Sequence, residues 1–169
     1  MGGLGVRSTC MLAPSAFLAS AAATLPLQEA ILSSLLTGVD DKAVSIAKAS
    51  WLNMSNTIEP LDSLKHIQRA WDTPVTTATY NTLLAACTAV DQARLKAMVS
   101  PHAGDWLHAP PLTAVGLILS DEAIHVATGI RIGTNLCQPH TCICGAAVDV
   151  RGLHDLACRK STPRHIRHS

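Results

Sequence analysis

The chain has 169 residues, of which 48% are hydrophobic and 15% are charged, so its composition excludes an intrinsically disordered protein and suits a domain with its own core. Only 3% of the residues are aromatic, and the core must therefore consist mainly of Leu, Ala, Ile and Val. The formal net charge of +1 excludes a strongly basic field over the whole protein.

The N-terminal part of the sequence predicts two helices, over residues 15–23 and about 26–37, because Pro26 suits the first turn of a helix and Thr24 can cap it. The apolar stretch Met11–Leu25 also has the outline of a secretory signal, although prolines and serines interrupt it. No run of about 20 uninterrupted apolar residues is present, so we expect no membrane-spanning helix.

The central part of the chain predicts further helices joined by irregular segments. A third helix, capped by Asp40 or Asp41, should extend to about Met54. Residues 55–74 are polar and contain two prolines, which indicates a linker or a short helix. A long helix or a pair of helices follows at about 76–99, with apolar residues at helical spacing.

The clearest helix boundary in the sequence lies at Ser120. Residues 112–119 could form a strand or an extended segment, after which Ser120 caps a helix over Asp121–Ile132 and Gly133 ends it. Strands and helices do not alternate along the chain, so no parallel sheet is expected. The predicted fold class is mostly α, an irregular helical bundle followed by a small zinc-knuckle module.

The last third of the chain contains six residues that are typical zinc ligands within a short segment. They are Cys137, His140, Cys142, Cys144, His154 and Cys158. Zinc prefers four thiolate or imidazole ligands in a tetrahedron, and isolated buried cysteines rarely cluster beside histidines in this way. We therefore predict a bound zinc ion in a reducing compartment, rather than a secreted scaffold of disulfides.

The spacing ranks four of these residues first as ligands. Cys142 and Cys144 precede Gly145, which lets the backbone turn around an ion, and His154 lies four residues before Cys158, on the same face of a short helix. The first pair has a gap of one residue where two is usual. His140 and then Cys137 remain the substitutes.

Basic residues are concentrated in the sequence from Arg151 onward and suggest an anionic partner. They are Arg151, Arg159, Lys160, Arg164 and Arg167. Arginine and lysine beside a knuckle can contact nucleic-acid phosphates, although a solvated basic tail is the simpler alternative. Pro163 is placed as though it begins a helix, and the chain stops soon afterwards, so we expect a truncated protein.

The sequence lacks the common catalytic motifs. It has no glycine-rich phosphate loop, and it has no Gly-x-Ser-x-Gly turn. Four good protein ligands would close a zinc site to substrate, whereas a catalytic zinc keeps one position open. We therefore expect neither an enzyme nor a small-molecule substrate.

Several segments resemble non-LTR retrotransposon reverse transcriptases. The region just after the polymerase core is resembled by Gly2–Ser8, Leu12–Ala13 and Ala16–Ala19. Leu117–Glu122 and Arg131–Gly133 resemble the helix before the family's zinc knuckle. The knuckle itself is resembled by Pro139–Gly145, Val148–Asp149, Gly152–His154, Cys158 and Arg164–His165. The resemblance covers nearly the whole chain and is weakest over residues 40–110.

The resemblance implies a role in a retroelement polyprotein, which copies its RNA at a nicked chromosomal site. It implies that the ligands are Cys142, Cys144, His154 and Cys158. It also implies that the polymerase aspartates and a C-terminal endonuclease belong to parts of the parent protein that are missing here. The expected organisation is a helical post-polymerase region (1–110), an extended segment with a helix (111–136), the zinc knuckle (137–160) and a basic tail (161–169).

The sequence thus predicts a non-catalytic fragment that binds RNA or DNA weakly and in a salt-dependent manner, inside the nucleus or cytoplasm and without a membrane. The alternative is a zinc-stabilised module that binds proteins and not nucleic acid. A secreted disulfide-bonded protein and a small zinc enzyme are the more distant alternatives.

Overall fold

The computed structural model describes residues 7–32 and 42–160. It is mostly α-helical, which confirms the predicted fold class. The chain forms two compact units, which divide between Thr88 and Ala89. The division into four segments that the sequence predicted, with boundaries after residues 110, 136 and 160, stays a prediction.

The first unit contains helices α1 (Thr9–Leu32), α2 (Lys42–Ser55) and α3 (Gln68–Ala86). The second contains α4 (Ala89–Met98), α5 (Asp121–Ile132), α6 (Leu153–Ala157) and a hairpin of β1 (His140–Thr141) and β2 (Ala147–Val148). Short 3₁₀ turns lie at Asp62–Leu64, Asp105–Leu107 and Thr113–Val115.

Helix α1 is one continuous helix, so the predicted break before Pro26 is wrong. Proline has a helical φ and lacks only one N–H, so a helix can continue through it at a cost. The hydroxyl of Thr24 does not cap a new helix. It donates within the same helix to the carbonyl oxygens of Ser20 and Ala21, at 3.0 and 3.2 Å. The rest of the predicted second helix, beyond Leu32, lies outside the described residues, as do Asp40 and Asp41.

The core of the first unit is built around two tryptophans. Trp51 on α2 and Trp71 on α3 are fully buried and meet edge to face, with ring centroids 5.1 Å apart. The indole N–H of Trp51 donates to the carbonyl of Trp71 at 2.6 Å, and that of Trp71 donates to the carbonyl of Lys65 at 2.7 Å. Leu18 and Ala19 of α1 and Val75 of α3 complete the cluster. Two aromatic rings with satisfied N–H groups thus supply the bulk that the aliphatic composition lacks.

Helix α1 is the one described helix that is long and apolar enough to cross a membrane by length and composition alone. It has 24 residues, and its most apolar window has a mean hydropathy of 1.5. A core helix and a signal sequence meet the same criterion. Ser15, Leu18 and Ala19 of this helix are buried in the first unit, whereas residues 23–32 are all exposed.

The second unit confirms one predicted helix and excludes the strand as one of the two alternatives for residues 112–119. The Ser120 hydroxyl accepts the N–H of Ala123 at 3.2 Å, and Gly133 ends α5 with a left-handed backbone (φ 77°). The predicted helix or helix pair at 76–99 corresponds to α3 and α4, separated after Ala86. Residues 112–119 form no strand, because Thr113–Val115 closes a 3₁₀ turn and Gly116 adopts a left-handed conformation there.

Polar contacts tie the helices of the second unit together. The guanidinium of Arg94 on α4 donates to the carbonyl of Arg131 at the end of α5, at 2.8 Å. The guanidinium of Arg131, which is itself buried, donates to the carbonyl of Ala103 at 2.8 Å. Among the described residues of this unit, the buried apolar side chains are Leu95, Val148 and Cys158. The unit therefore relies on directional hydrogen bonds more than on a large apolar core.

Candidate metal site

The hairpin places the first two thiols at its tip. Strands β1 and β2 pair antiparallel, with His140 opposite Val148 and Thr141 opposite Ala147. The Cys142 N–H donates to the Ala146 carbonyl at 2.9 Å, and the Gly145 N–H donates to the Cys142 carbonyl at 2.7 Å. Gly145 adopts φ 90°, which a residue with a side chain rarely does. This tight turn keeps the side chains of Cys142 and Cys144 on the same side.

Helix α6 supplies the other two candidate ligands. Gly152 precedes it with a left-handed backbone, φ 64°. The N–H of Cys158 then donates to the carbonyl of His154 at 2.8 Å, so the helical turn persists to Cys158. Because residues four apart in a helix share a face, His154 and Cys158 both point towards the hairpin tip.

The structure brings the four first-ranked residues into one cluster. The ligand atoms of Cys142, Cys144, His154 and Cys158, called here the Cys/His cluster, all lie within 4.8 Å of one another. The Sγ atoms of Cys142 and Cys158 are 3.6 Å apart, and the Cys144 Sγ lies 3.2 Å from the His154 Nε2. Ligands of a tetrahedral zinc ion are separated by about 3.5–3.8 Å. The cluster therefore has the donor atoms and the size to hold a metal ion.

The two hairpin thiols differ in acidity. A hydrogen bond with the backbone of Ala146 is the main cause that lowers the pKa of Cys144 to about 7, and the neighbouring Cys142, Cys158 and His154 lower it further. The backbone of Cys144 lowers the pKa of Cys142, but desolvation and the hydrogen bond with Cys158 outweigh it, so that pKa is raised overall. Of the two hairpin thiols, Cys144 is therefore the more readily ionised to a metal-binding thiolate.

Neither substitute ligand joins the Cys/His cluster. The His140 Nδ1 lies 2.9 Å from the carbonyl oxygen of Gln138, and the side chain is exposed. The Cys137 thiol donates to the carbonyl of Asp149 at 3.2 Å, and a Cβ at Gly152 would lie 3.5 Å from its sulfur. Cys137 thus supports the turn that leads into α6, beside the cluster.

One predicted nucleic-acid contact has a partner within the chain. The Arg151 guanidinium donates to both carboxylate oxygens of Asp91 on α4, at 2.9 and 3.2 Å. Asp91 also accepts the Nε–H of Arg94 at 3.1 Å. This pairing is not evident from the sequence, since Asp91 lies sixty residues before Arg151. The charge of Arg151 suggests that it pairs with an acidic residue, but the sequence does not show which one.

The remaining predicted basic contacts lie at the C-terminal end. Arg159 and Lys160 are exposed and directly follow Cys158. Arg164 and Arg167 lie outside the described residues.

Comparisons with known proteins do not assign the chain to a family. No protein-family model, no curated protein and no solved structure matches it. The resemblance to retroelement reverse transcriptases stays an expectation drawn from the sequence motifs.

Proposed function

We propose that the Cys/His cluster holds a structural zinc ion and that the surrounding hairpin and helix α6 form a non-catalytic nucleic-acid-binding module of a retroelement reverse transcriptase-like protein. The observation that carries the proposal is the convergence of three thiols and one imidazole within 4.8 Å. This donor set is typical of zinc knuckles, and four protein ligands leave no open position for catalysis.

The location of the basic residues supports a phosphate partner. Arg159 and Lys160 are exposed and follow the proposed ligand Cys158 directly. A metal ion that holds Cys158 in place would therefore also hold the backbone of these two basic residues beside the site. Arg164 and Arg167 extend the basic run in the sequence. Arg151 is excluded from this set because Asp91 holds its guanidinium. The proposed partner is intracellular RNA or DNA, and we propose no membrane partner.

The metal should be tested first, by measuring zinc per chain on protein purified under reducing conditions. We expect about one zinc ion per chain. Cys158→Ser should lose it, whereas Cys137→Ser should retain it, because the Cys137 thiol lies beside the Cys/His cluster and not in it. Absence of zinc from the wild-type protein, or equal loss in both variants, would contradict the proposed site.

Nucleic-acid binding should be tested separately on the zinc-loaded protein, by fluorescence anisotropy with labelled RNA and DNA at several salt concentrations. Phosphate contacts make affinity fall steeply with salt, and Arg159→Ala or Lys160→Ala should each reduce the salt slope by about 1. Lys42→Ala, an exposed lysine in the first unit, is the matched control and should leave the slope unchanged.

A zinc-stabilised protein-interaction module is the second candidate. The observation that favours it is the engagement of Arg151 by Asp91, which joins the segment between β2 and α6 to α4. The Arg151 guanidinium is then not available to a nucleic-acid phosphate. Full zinc loading combined with no salt-dependent binding of RNA or DNA would select this candidate.

A further inference from the structure

Two thiols of the Cys/His cluster are in contact with each other. The Sγ atoms of Cys142 and Cys158 lie 3.6 Å apart. A disulfide bond has an S–S distance of about 2.05 Å, so the two sulfurs need to approach by about 1.5 Å, which is the scale of a side-chain rotation. The same pair that can share a metal ion can therefore also be joined covalently.

The other thiols of the second unit are less suited to pair with either of these two. The Cys144 Sγ lies 3.2 Å from the imidazole Nε2 of the cluster, and a bond from Cys144 to Cys142 would close a strained ring across one residue of a tight turn. The Cys137 thiol donates to the Asp149 carbonyl and lies outside the cluster. Cys142 and Cys158 lie on different elements, sixteen residues apart, so a bond between them would join the hairpin tip to the end of α6.

The exposure of the two sulfurs favours a disulfide over irreversible oxidation. Cys142 is partly exposed at the hairpin tip, so a small oxidant such as hydrogen peroxide can reach it, whereas Cys158 is only 3% exposed. A thiol oxidised to a sulfenic acid either condenses with a neighbouring thiol or is oxidised further and irreversibly. A sulfenic acid at Cys142 has the buried thiol in contact with it, so condensation precedes a second encounter with the oxidant.

We propose that hydrogen peroxide converts Cys142 and Cys158 into a reversible disulfide and that this bond releases the metal ion from the Cys/His cluster. In the first step, the Cys142 sulfur takes an OH group from the peroxide, and one water leaves. In the second step, the Cys158 sulfur attacks the Cys142 sulfur, and the OH group leaves as a second water. The two sulfurs give up two electrons in all. The two protons come from the thiols, or from solvent where the sulfurs are metal-bound thiolates.

The disulfide leaves the cluster with two of its four proposed ligands, Cys144 and His154. A structural zinc site needs four, so the ion leaves, while the hairpin tip and α6 stay joined by the covalent bond. Reduction of the disulfide by a thiol restores both ligands. The release of metal rests on the proposed function, whereas the pairing of the two thiols does not.

Peroxide treatment of the full chain tests the proposal. The zinc-loaded protein, freed of reductant, is treated with equimolar hydrogen peroxide. Peptide mass spectrometry then identifies the disulfide, and a chromophoric chelator measures the zinc released. We expect one major linkage, between Cys142 and Cys158, and zinc release in the same molar amount. Dithiothreitol should remove the linkage and restore zinc binding.

Two variants make the test specific. Cys137→Ser is the matched control, because its thiol lies beside the cluster, and it should form the same linkage and release zinc as the wild type does. Cys158→Ser should lose the linkage, and a reagent for sulfenic acids should then label Cys142 in this variant but not in the wild type. Metal-free wild-type protein is the comparison for Cys158→Ser, because both lack zinc.

The pairing, the release and the proposed function fail separately. Reduced protein without zinc contradicts the proposed function, while a bond between Cys142 and Cys158 in that metal-free chain still supports the pairing. Linkage of either residue to another thiol, or oxidation of both to separate sulfinic acids, overturns the pairing. Zinc that stays on the disulfide-bonded chain overturns the release.

Discussion

The two units of this protein are stabilised in different ways. In the first, Trp51, Trp71 and Val75 are almost completely buried against α1, and the indole N–H groups are satisfied by backbone carbonyls. In the second, the buried apolar side chains are few among the described residues, and arginine side chains donate hydrogen bonds to carbonyl and carboxylate oxygens of other segments. Large apolar rings can hold three helices without a ligand, whereas a unit with little apolar core gains most from a metal ion.

Metal removal should produce the largest difference between the units. Structural zinc contributes about 10–16 kcal/mol in zinc-finger peptides, and this binding free energy stabilises the fold because the unfolded chain rarely holds a preformed site. Chelation should therefore abolish hydrogen-exchange protection over residues 140–158 and leave α3 protected. Hydrogen exchange measured by mass spectrometry before and after chelation compares residues 140–158 with α3 directly. Unchanged protection of the hairpin would show that the second unit folds without metal.

Trp51→Ala should destabilise the first unit and leave the second unit unchanged, the opposite of metal removal. It removes a fully buried ring and a hydrogen bond to Trp71, and should cost the first unit about 3–5 kcal/mol. Denaturant unfolding followed by helical circular dichroism measures the loss, and zinc content should remain unchanged. Trp51→Phe, which keeps an aromatic ring but loses the N–H, should cost less. Loss of zinc in either variant would contradict independent stabilisation of the units.

Acidity should affect the second unit through Cys144. Its pKa of about 7 lies below the ordinary 9.0, so ionisation favours the folded form. This contribution is complete above pH 9.0 and is lost as the pH falls through 7. The proposed zinc ion must displace a proton from Cys142 throughout the range from pH 6 to 8, because the pKa of that thiol is raised. Below pH 7 it must also displace one from Cys144, which should add up to about tenfold per pH unit to the loss of affinity. Competition with a chromophoric chelator between pH 6 and 8 measures this, and a slope that does not steepen below pH 7 would contradict the assignment.

Asp91→Asn should have the smallest of these effects. It removes the charge that Arg94 and Arg151 share, and should lower the melting temperature of the zinc-loaded second unit by a few degrees. Differential scanning calorimetry at low and high salt measures it, since salt should reduce the difference. Asp62→Asn is the control, because the side chain of Asp62 is 95% exposed beside Lys65. An equal effect of both substitutions would show that the Asp91 contacts contribute nothing specific.

Local signals in the sequence account for the features that were predicted correctly. The Ser120 cap and the Gly133 end of α5 depend on residues within a few positions of each other, and both are present. The spacing of His154 and Cys158 on one helical turn, with Cys142 and Cys144 before a glycine, anticipated the Cys/His cluster. The break at Pro26 was wrong because Thr24 can bond within a continuing helix as well as cap a new one.

The sequence by itself determined the helical composition, the ends of α5 and the four residues of the Cys/His cluster, because each depends on neighbours close in the chain. Only the tertiary structure decided that Trp51 and Trp71 share one core, that Asp91 holds Arg151, and that Cys137 and His140 stay outside the cluster. These features depend on which distant segments pack together, and that choice depends on the shape and burial of whole helices, which no local spacing records.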